Sequence, residues 1–273
     1  MKKSFSSNRQ RSLRKRNFVI ILALFVSYVI LSSIFFRDLR EQKNDIQYFE
    51  LKHTRNNNIP TLPSHLTIMD PSVILEPRGF TSIDTAHRQG KFHMGAFIFI
   101  LNSSLKAKDD PKVLMLKRGK DLVTCPNSWT VVGEHTYRDE MPIETVKRGI
   151  SEELGSQMLD YVLEHGRLTN LTEYPVYYER DYGPSNQGRI DRQFTYMYLV
   201  EMNKDSASKN TNIAKFDDLL QLDDEVVEHQ WITLGAFSNL VNEEKEKLFC
   251  HHTIISLTQL GLQRINDLKS ADK

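Results

Sequence analysis

The chain has 273 residues, 40% of them hydrophobic, and its 36 basic and 35 acidic side chains leave a formal net charge of +1. That is enough for one domain of ordinary size with a real core and appendages. Cys125 and Cys250 are the two cysteines, too few for a small disulfide-stapled scaffold, and they leave either a single bridge or two unpaired thiols.

The balanced total hides an asymmetric start. Lys2, Lys3, Arg9, Arg11, Arg14, Lys15 and Arg16 precede an uncharged run from Phe18 to Phe36, and the first acidic residue is Asp38. A run of that length crosses a hydrocarbon core of about 30 Å as a helix. Because basic residues favour the cytoplasmic side, residues 1–17 read as a cytoplasmic tail and 18–36 as a transmembrane signal anchor. The rest is then lumenal or extracellular, the type II arrangement of the ER, Golgi or cell surface. Topology explains the basic tail more simply than nucleic acid does, and no nucleic-acid partner is expected. A cleaved signal peptide fits less well, since the run is long and Ser32 to Phe36 makes a poor cleavage site. A mitochondrial presequence matches the Arg- and Ser-rich start but is normally amphipathic. The sequons Asn102-Ser103-Ser104 and Asn170-Leu171-Thr172 agree with a lumenal domain.

Residues 37–78 lack sustained periodicity and contain Asn56-Asn57-Asn58-Ile59-Pro60 and Leu62-Pro63-Ser64, so they read as a stem, with the globular domain over 79–273. Strand composition marks Gly95–Leu101 and Val113–Leu116, joined as a hairpin by a polar loop, then Trp129–Val132, Tyr174–Tyr178, Phe194–Val200 and Val226–Ile232. Between the third and fourth of these, Pro142 suits a first helical turn, and Ile143, Val146, Ile150 and Leu154 recur at helical intervals up to Gly155. A helix is predicted over Pro142–Leu154. Near the end, Leu248, Ile254, Ile255, Leu257, Leu260 and Ile265 predict a packing helix. Its neighbours His251 and His252 point in different directions and are not read as metal ligands.

The predicted helix carries Arg148 and, one turn on, the adjacent carboxylates Glu152 and Glu153, with Glu140 in the preceding turn. Such an all-oxygen cluster suits Mg²⁺ or Mn²⁺, which keep several waters and share phosphate oxygens with a substrate. A solvated acidic helix face is the plainer reading, but too many constrained positions coincide for it. Gly133-Glu134-His135-Thr136-Tyr137-Arg138-Asp139-Glu140, followed by Arg148-Gly149-Ile150-Ser151-Glu152-Glu153-Leu154-Gly155, resembles the Nudix box over residues 133–156. Glu140, Arg148, Ile150, Glu152, Glu153 and Gly155 stand at the family's positions. Glu134 stands in place of the first glycine, Gly149 in place of the glutamate after the arginine, and Ser156 in place of the last apolar residue.

The resemblance extends over about Phe92 to Leu240 and implies an α/β fold, a Nudix-like α/β/α sandwich with a mixed sheet. It implies Mg²⁺- or Mn²⁺-dependent hydrolysis of a small-molecule diphosphate, a nucleoside diphosphate linked to another moiety. In that reading Glu152, Glu153 and the carbonyl of Gly133 hold metal, Glu140 assists, and Arg148 orients the carboxylates. Lys117, Arg118 and Glu228 contact substrate. Gly149 can supply neither the ligand nor the base that the family places there. Glu134, with Glu225 and Glu228 as further donors, is the candidate replacement; one alternative is a module that binds a nucleotide with weak or no turnover, and another is an isomerase of prenyl diphosphates, which shares a Nudix-like fold but normally needs a cysteine and extra metal-binding histidines, a role in which nothing in the sequence places Cys125. His135 and Asp191-Arg192 are further candidates for substrate contact, an ordinary surface ion pair being the plainer reading of the latter.

Overall fold

In a computed structural model of the chain, residues 44–52, 66–68, 74–103, 105, 110–202, 216–243 and 246–271 are described. The basic tail and the apolar run expected to cross a membrane lie outside them. Among the described residues no helix is long and apolar enough to span a bilayer. The strands are β1 (Ile46–Lys52), β2 (Leu66–Ile68), β3 (Ile74–Thr81), β4 (Phe92–Leu101), β5 (Lys112–Arg118), β6 (Trp129–Thr130), β7 (Val132–His135), β8 (Gly166–Asn170), β9 (Val176–Asp181), β10 (Ile190–Met202) and β11 (Val226–Thr233). The helices are α1 (Ile83–Gln89), α2 (Pro142–Leu154), α3 (Ser156–His165), α4 (Leu234–Asn242), α5 (Glu246–Phe249) and α6 (His252–Ala271).

One mixed sheet runs β11-β5-β4-β10-β9-β2, with β1 and β7 also pairing β4, β6 pairing β5, β8 pairing β10 and β3 pairing β1. Only β4 and β10 run parallel among these pairs, in register from Arg192 opposite Phe92 to Glu201 opposite Leu101. The alternation of β4 builds two cores. Phe97, Phe99 and Leu101 pack with Met115, Leu199, Phe237 and Ile265 on the face covered by α4 and α6, whereas Ala96, Ile98 and Ile100 meet Val146, Ile150, Leu154 and Met158 of α2 and α3 on the other. Burial on both sides explains why β4 reads as a continuous apolar run. Gly261 lets α6 seat directly on β4, since a Cβ there would lie 2.2 Å from the Phe99 ring.

The boundary read from the sequence differs here. The folded unit begins at Ile46, not near Gly79, and residues assigned to a stem supply β1, β2 and β3. β1 pairs with β3 along its length and touches β4 at Tyr48 and Phe49. Pro77 falls opposite Phe49 beside a register shift; β3 is an edge, where a proline is tolerated. The bulge breaks the period-2 pattern, so no alternation was there to read.

Cys125 and Cys250 form a disulfide with Cα atoms 5.1 Å apart, which ties the loop between β5 and β6 to the α5–α6 junction and selects the single bridge of the two possibilities. Its sequence separation is 125 residues, so it restrains a large part of the unfolded chain. Replacing both cysteines by serine should lower stability by about 2–5 kcal/mol, measured as a urea midpoint that falls to the value of the reduced wild type. Equal midpoints for oxidised wild type and variant would show that the bridge contributes nothing.

Candidate functional site

Helix α2 matches its sequence-derived bounds residue for residue. Pro142 begins it, the Glu144 carboxylate accepts the Met141 N–H at 2.8 Å, and Gly155 ends it at φ +95°. Burial of Val146, Ile150 and Leu154 orients the helix, leaving Arg148, Glu152 and Glu153 toward β7 and the loop after it.

Arg148 is the hub. Its Nε donates to Glu140 Oε1 at 2.7 Å and its Nη1 to Glu152 Oε2 at 2.8 Å, while Nη1 lies 3.2 Å from Glu134 Oε1. Its Nη2 donates to the His135 carbonyl, and the guanidinium stacks 3.6 Å above the Tyr137 ring. Burial alone would lower the Arg148 pKa, but the carboxylate partners hold it above the ordinary value. Glu140 is engaged throughout: besides Arg148, its Oε2 accepts the Tyr137 N–H at 2.9 Å and the Thr145 hydroxyl at 3.1 Å. Burial opposes its ionisation, yet these bonds keep its pKa below the usual carboxylate value. Its geometry is that of a residue that shapes the loop and positions Arg148.

Glu134 and Gly149 fit one another. A Cβ built on Gly149 would lie 3.1 Å from Glu134 Cβ and 3.3 Å from Glu134 Cγ. A side chain on α2 at this position would therefore crowd the glutamate stem on β7 by a few tenths of an ångström, and a carboxylate reaches the site from the strand. Burial raises the Glu134 pKa more than Arg148 lowers it. Glu153 is raised further, first by burial and then by the charges of Glu134 and Asp223.

Glu134 and Glu153 line a cleft with Gly133, Glu152, Asp223, Glu225 and Arg118. A second cavity shares Arg118, Thr130, Gly133, Glu134 and His135 with it and is walled by Trp129, Tyr178, Tyr182, Phe249 and the disulfide. Of the expected substrate contacts, Arg118 lines both. Lys117 and Glu228 instead form an ion pair with each other at 3.0 Å, across the β5–β11 register, and line neither. Asp223 was missed; its only sequence signal is its place in the acidic run Asp223-Asp224-Glu225.

His135 follows Glu134 on β7 and its side chain takes the opposite face. Its ring lies 5.3 Å from that of His87 and 5.1 Å from that of His93. Burial keeps His135 well below the ordinary imidazole pKa and brings His87 down to about 4. Asp191 is buried and accepts the Tyr178 hydroxyl at 2.8 Å, so it forms no surface pair with Arg192, whose partner is Glu179 at 3.1 Å. Burial would raise the Asp191 pKa; the neighbouring histidines, His93 first, hold it below the carboxylate range.

The NUDIX domain profile matches residues 91–251, more than half of the chain. Among solved structures, an Ap4A hydrolase of C. elegans is 15% identical, with 66% of this chain and 98% of that one covered at a TM-score of 0.39. The MutT protein of Methanosarcina mazei Go1 is 14% identical over 65% and 94%, TM-score 0.40. The E. coli dihydroneopterin triphosphate pyrophosphohydrolase is 16% identical over 54% and 84%, TM-score 0.36. No curated protein matches the chain.

Proposed function

The chain belongs to the NUDIX domain family, and from that premise we propose that it hydrolyses a nucleoside diphosphate linked to another moiety, with Mg²⁺ or Mn²⁺. The observation that carries this reading is the mutual fit of Glu134 and Gly149. A carboxylate lost from the helix is answered by one on the strand, in the space the loss opened.

The donor set fits the cation. Glu134, Glu152, Glu153, Asp223 and Glu225 converge on one cleft with Arg118, and burial together with mutual repulsion works against ionisation of Glu153. Such a cluster is stable in its ionised form only beside positive charge. Glu152 and Glu153 would hold the ion, which when bound neutralises diphosphate charge and lowers the pKa of the attacking water. The chain's own residues do the rest. Arg148 holds Glu152 and Glu134 in place, Arg118 faces a phosphate, and Glu134 accepts the proton of the water that attacks phosphorus. The adjoining aromatic cavity receives the attached moiety.

The second reading is a module that binds nucleotide with little turnover. It is favoured by one contact, the 3.2 Å pairing of Glu134 with Arg148, which makes that carboxylate a weaker base. The test is a screen of the purified protein against nucleotide sugars, dinucleoside polyphosphates and nucleoside triphosphates, with and without Mg²⁺. Metal-dependent release of a nucleoside monophosphate from one class is expected; tight binding with no product from any class selects the module.

For residues 18–36 the proposal is a membrane anchor with the domain on the lumenal side. In sealed microsomes protease should then spare the domain, and a glycosidase should increase its mobility, with Asn170, exposed at the end of β8, an accessible acceptor. Complete digestion in sealed vesicles would reverse the orientation.

A further inference from the structure

We propose that Cys125, Cys250 and His251 form a redox-gated metal site: a disulfide when oxidised and, once reduced, a set of two sulfurs and one nitrogen for a thiophilic dication such as zinc. Cys125 lies in the loop between β5 and β6, and Cys250 and His251 lie in the short link between α5 and α6. Both sulfurs and one ring nitrogen of His251 lie within 4.8 Å of one another. An ion that takes sulfur at about 2.3 Å and nitrogen at about 2.0 Å draws its ligands to within about 4 Å of each other. The nitrogen is thus nearly in place, and the two sulfurs need only part around the ion.

Two observations separate this bridge from a purely structural one. The first is backbone conformation. Cys125 has φ +53° and Cys250 φ +71°, the left-handed region that residues with a Cβ seldom adopt. Strain of this kind collects where a structure switches. Both cysteines sit outside helices and strands and neither is fully buried, so a reductant can reach them; strained or accessible disulfides are the labile ones. The second is His251. It is 3% exposed, and its Nε2 is buried without a hydrogen-bond partner. Its one ring hydrogen bond among the described residues is long, from the Ile254 N–H to Nδ1 at 3.4 Å. A disulfide has no use for such a neighbour, whereas a metal does. His252, the other histidine set aside in the sequence, stays outside the cluster, with its Nδ1 3.2 Å from the Ser256 hydroxyl.

A dithiol supplies two electrons and two protons: the bond between Cys125 and Cys250 breaks, two thiols form, and the dithiol closes to its own disulfide. Zinc then replaces the two thiol protons, which leave to solvent. Two thiolates and a neutral imidazole make a Cys2His set with a fourth position left for water or an anionic oxygen. Cys125 and Cys250 both wall the aromatic cavity beside the box, so that cavity is the open side. Mg²⁺ keeps to the carboxylates, because thiolate is too soft a ligand for it. The tie between the β5–β6 loop and the α5–α6 link therefore survives reduction, with a metal in place of the covalent bond.

The experiment uses the full chain in detergent, reduced with a water-soluble phosphine, which offers the metal no thiolate, and titrated with Co²⁺ without oxygen and with excess Mg²⁺. Cys125 and Cys250 are the only cysteines, so thiolate-to-cobalt charge-transfer absorption in the near ultraviolet reports this site alone. It should grow and saturate in the reduced protein, vanish when Zn²⁺ displaces the cobalt, and be absent from the oxidised protein. His251→Gln should weaken Co²⁺ binding at these sulfurs about 100-fold. No absorption in the reduced wild type, or unchanged affinity in His251→Gln, would overturn the site. Because His251 is buried and its variant can fail to fold, wild type supplies a second readout. Zn²⁺ should protect both reduced cysteines from alkylation, followed by mass spectrometry, and alkylation at the same rate with and without Zn²⁺ would equally overturn it. Neither readout depends on hydrolysis, so a failure here is separable from a failure of the hydrolase reading.

Discussion

Glu152→Gln combined with Glu153→Gln is expected to abolish Mg²⁺-dependent binding and turnover while the fold persists. Glutamine keeps the shape of both side chains. Only charge is removed. At Glu153 that charge is disfavoured without a cation, because the group is half-buried and faces Glu134 and Asp223. The metal-free thermal midpoint should therefore hold or rise. At Glu152, half-exposed with 51% of its side chain accessible, the loss is one ion pair to Arg148, worth about 0.3–0.5 kcal/mol for a pair one helical turn apart. Affinity for Mg²⁺ and stability should separate: calorimetry loses its signal and the melting curve does not move down. An unchanged Mg²⁺ affinity in the double variant would remove these residues from the site.

The second expected result concerns the carboxylate on β7. Glu134→Gln should reduce the rate by about 10²-fold or more, the range for lost general acid–base help. Putting a glutamate back on the helix in that background should not rescue it, because glutamine retains the Cβ and Cγ that approach within 3.1 and 3.3 Å of a Cβ at 149. The paired change Glu134→Gly with Gly149→Glu vacates the room and returns the carboxylate to α2. Its rate should lie within about tenfold of wild type, since it undoes a loss of the size just given. The comparison of the paired change with Glu134→Gln decides the matter. If both are equally inactive, the two positions do not exchange one function; if Glu134→Gln keeps full activity, the carboxylate comes from elsewhere, and Glu225, which lines the same cleft, is the next to replace.

What could be read from the sequence was periodic or local. Helix α2 was legible to the residue because its apolar spacing, its proline and its glycine agree, and β4, β5 and β10 were legible as apolar runs between breakers. Arg148 with Glu152 followed from helical spacing. The grip of Arg148 on Glu140 and Glu134 did not, since it depends on how the loop before α2 folds back. Gly149 reads in the sequence as a deficit, and the approach of the Glu134 stem to it is a matter of volume between two elements that no spacing rule encodes. The histidine cluster was equally invisible. His87 and His93 flank the α1–β4 turn without a motif, and Asp191 lies almost a hundred residues on. Pro77 and the bulge beside it concealed the start of the folded unit.

The parallel pairing at the centre of the sheet carries a consequence for how the chain reaches its native state. Phe92 of β4 is matched with Arg192 of β10, a hundred positions later, and between them lie strands β5 to β9 with α2 and α3. During synthesis the apolar stripe of α2 leaves the ribosome before the strand that completes its seat, so Val146, Ile150 and Leu154 must wait exposed or be shielded. Closing so long a loop before any reward arrives makes for slow refolding, and a nascent chain halted short of β10 is the species most prone to aggregate.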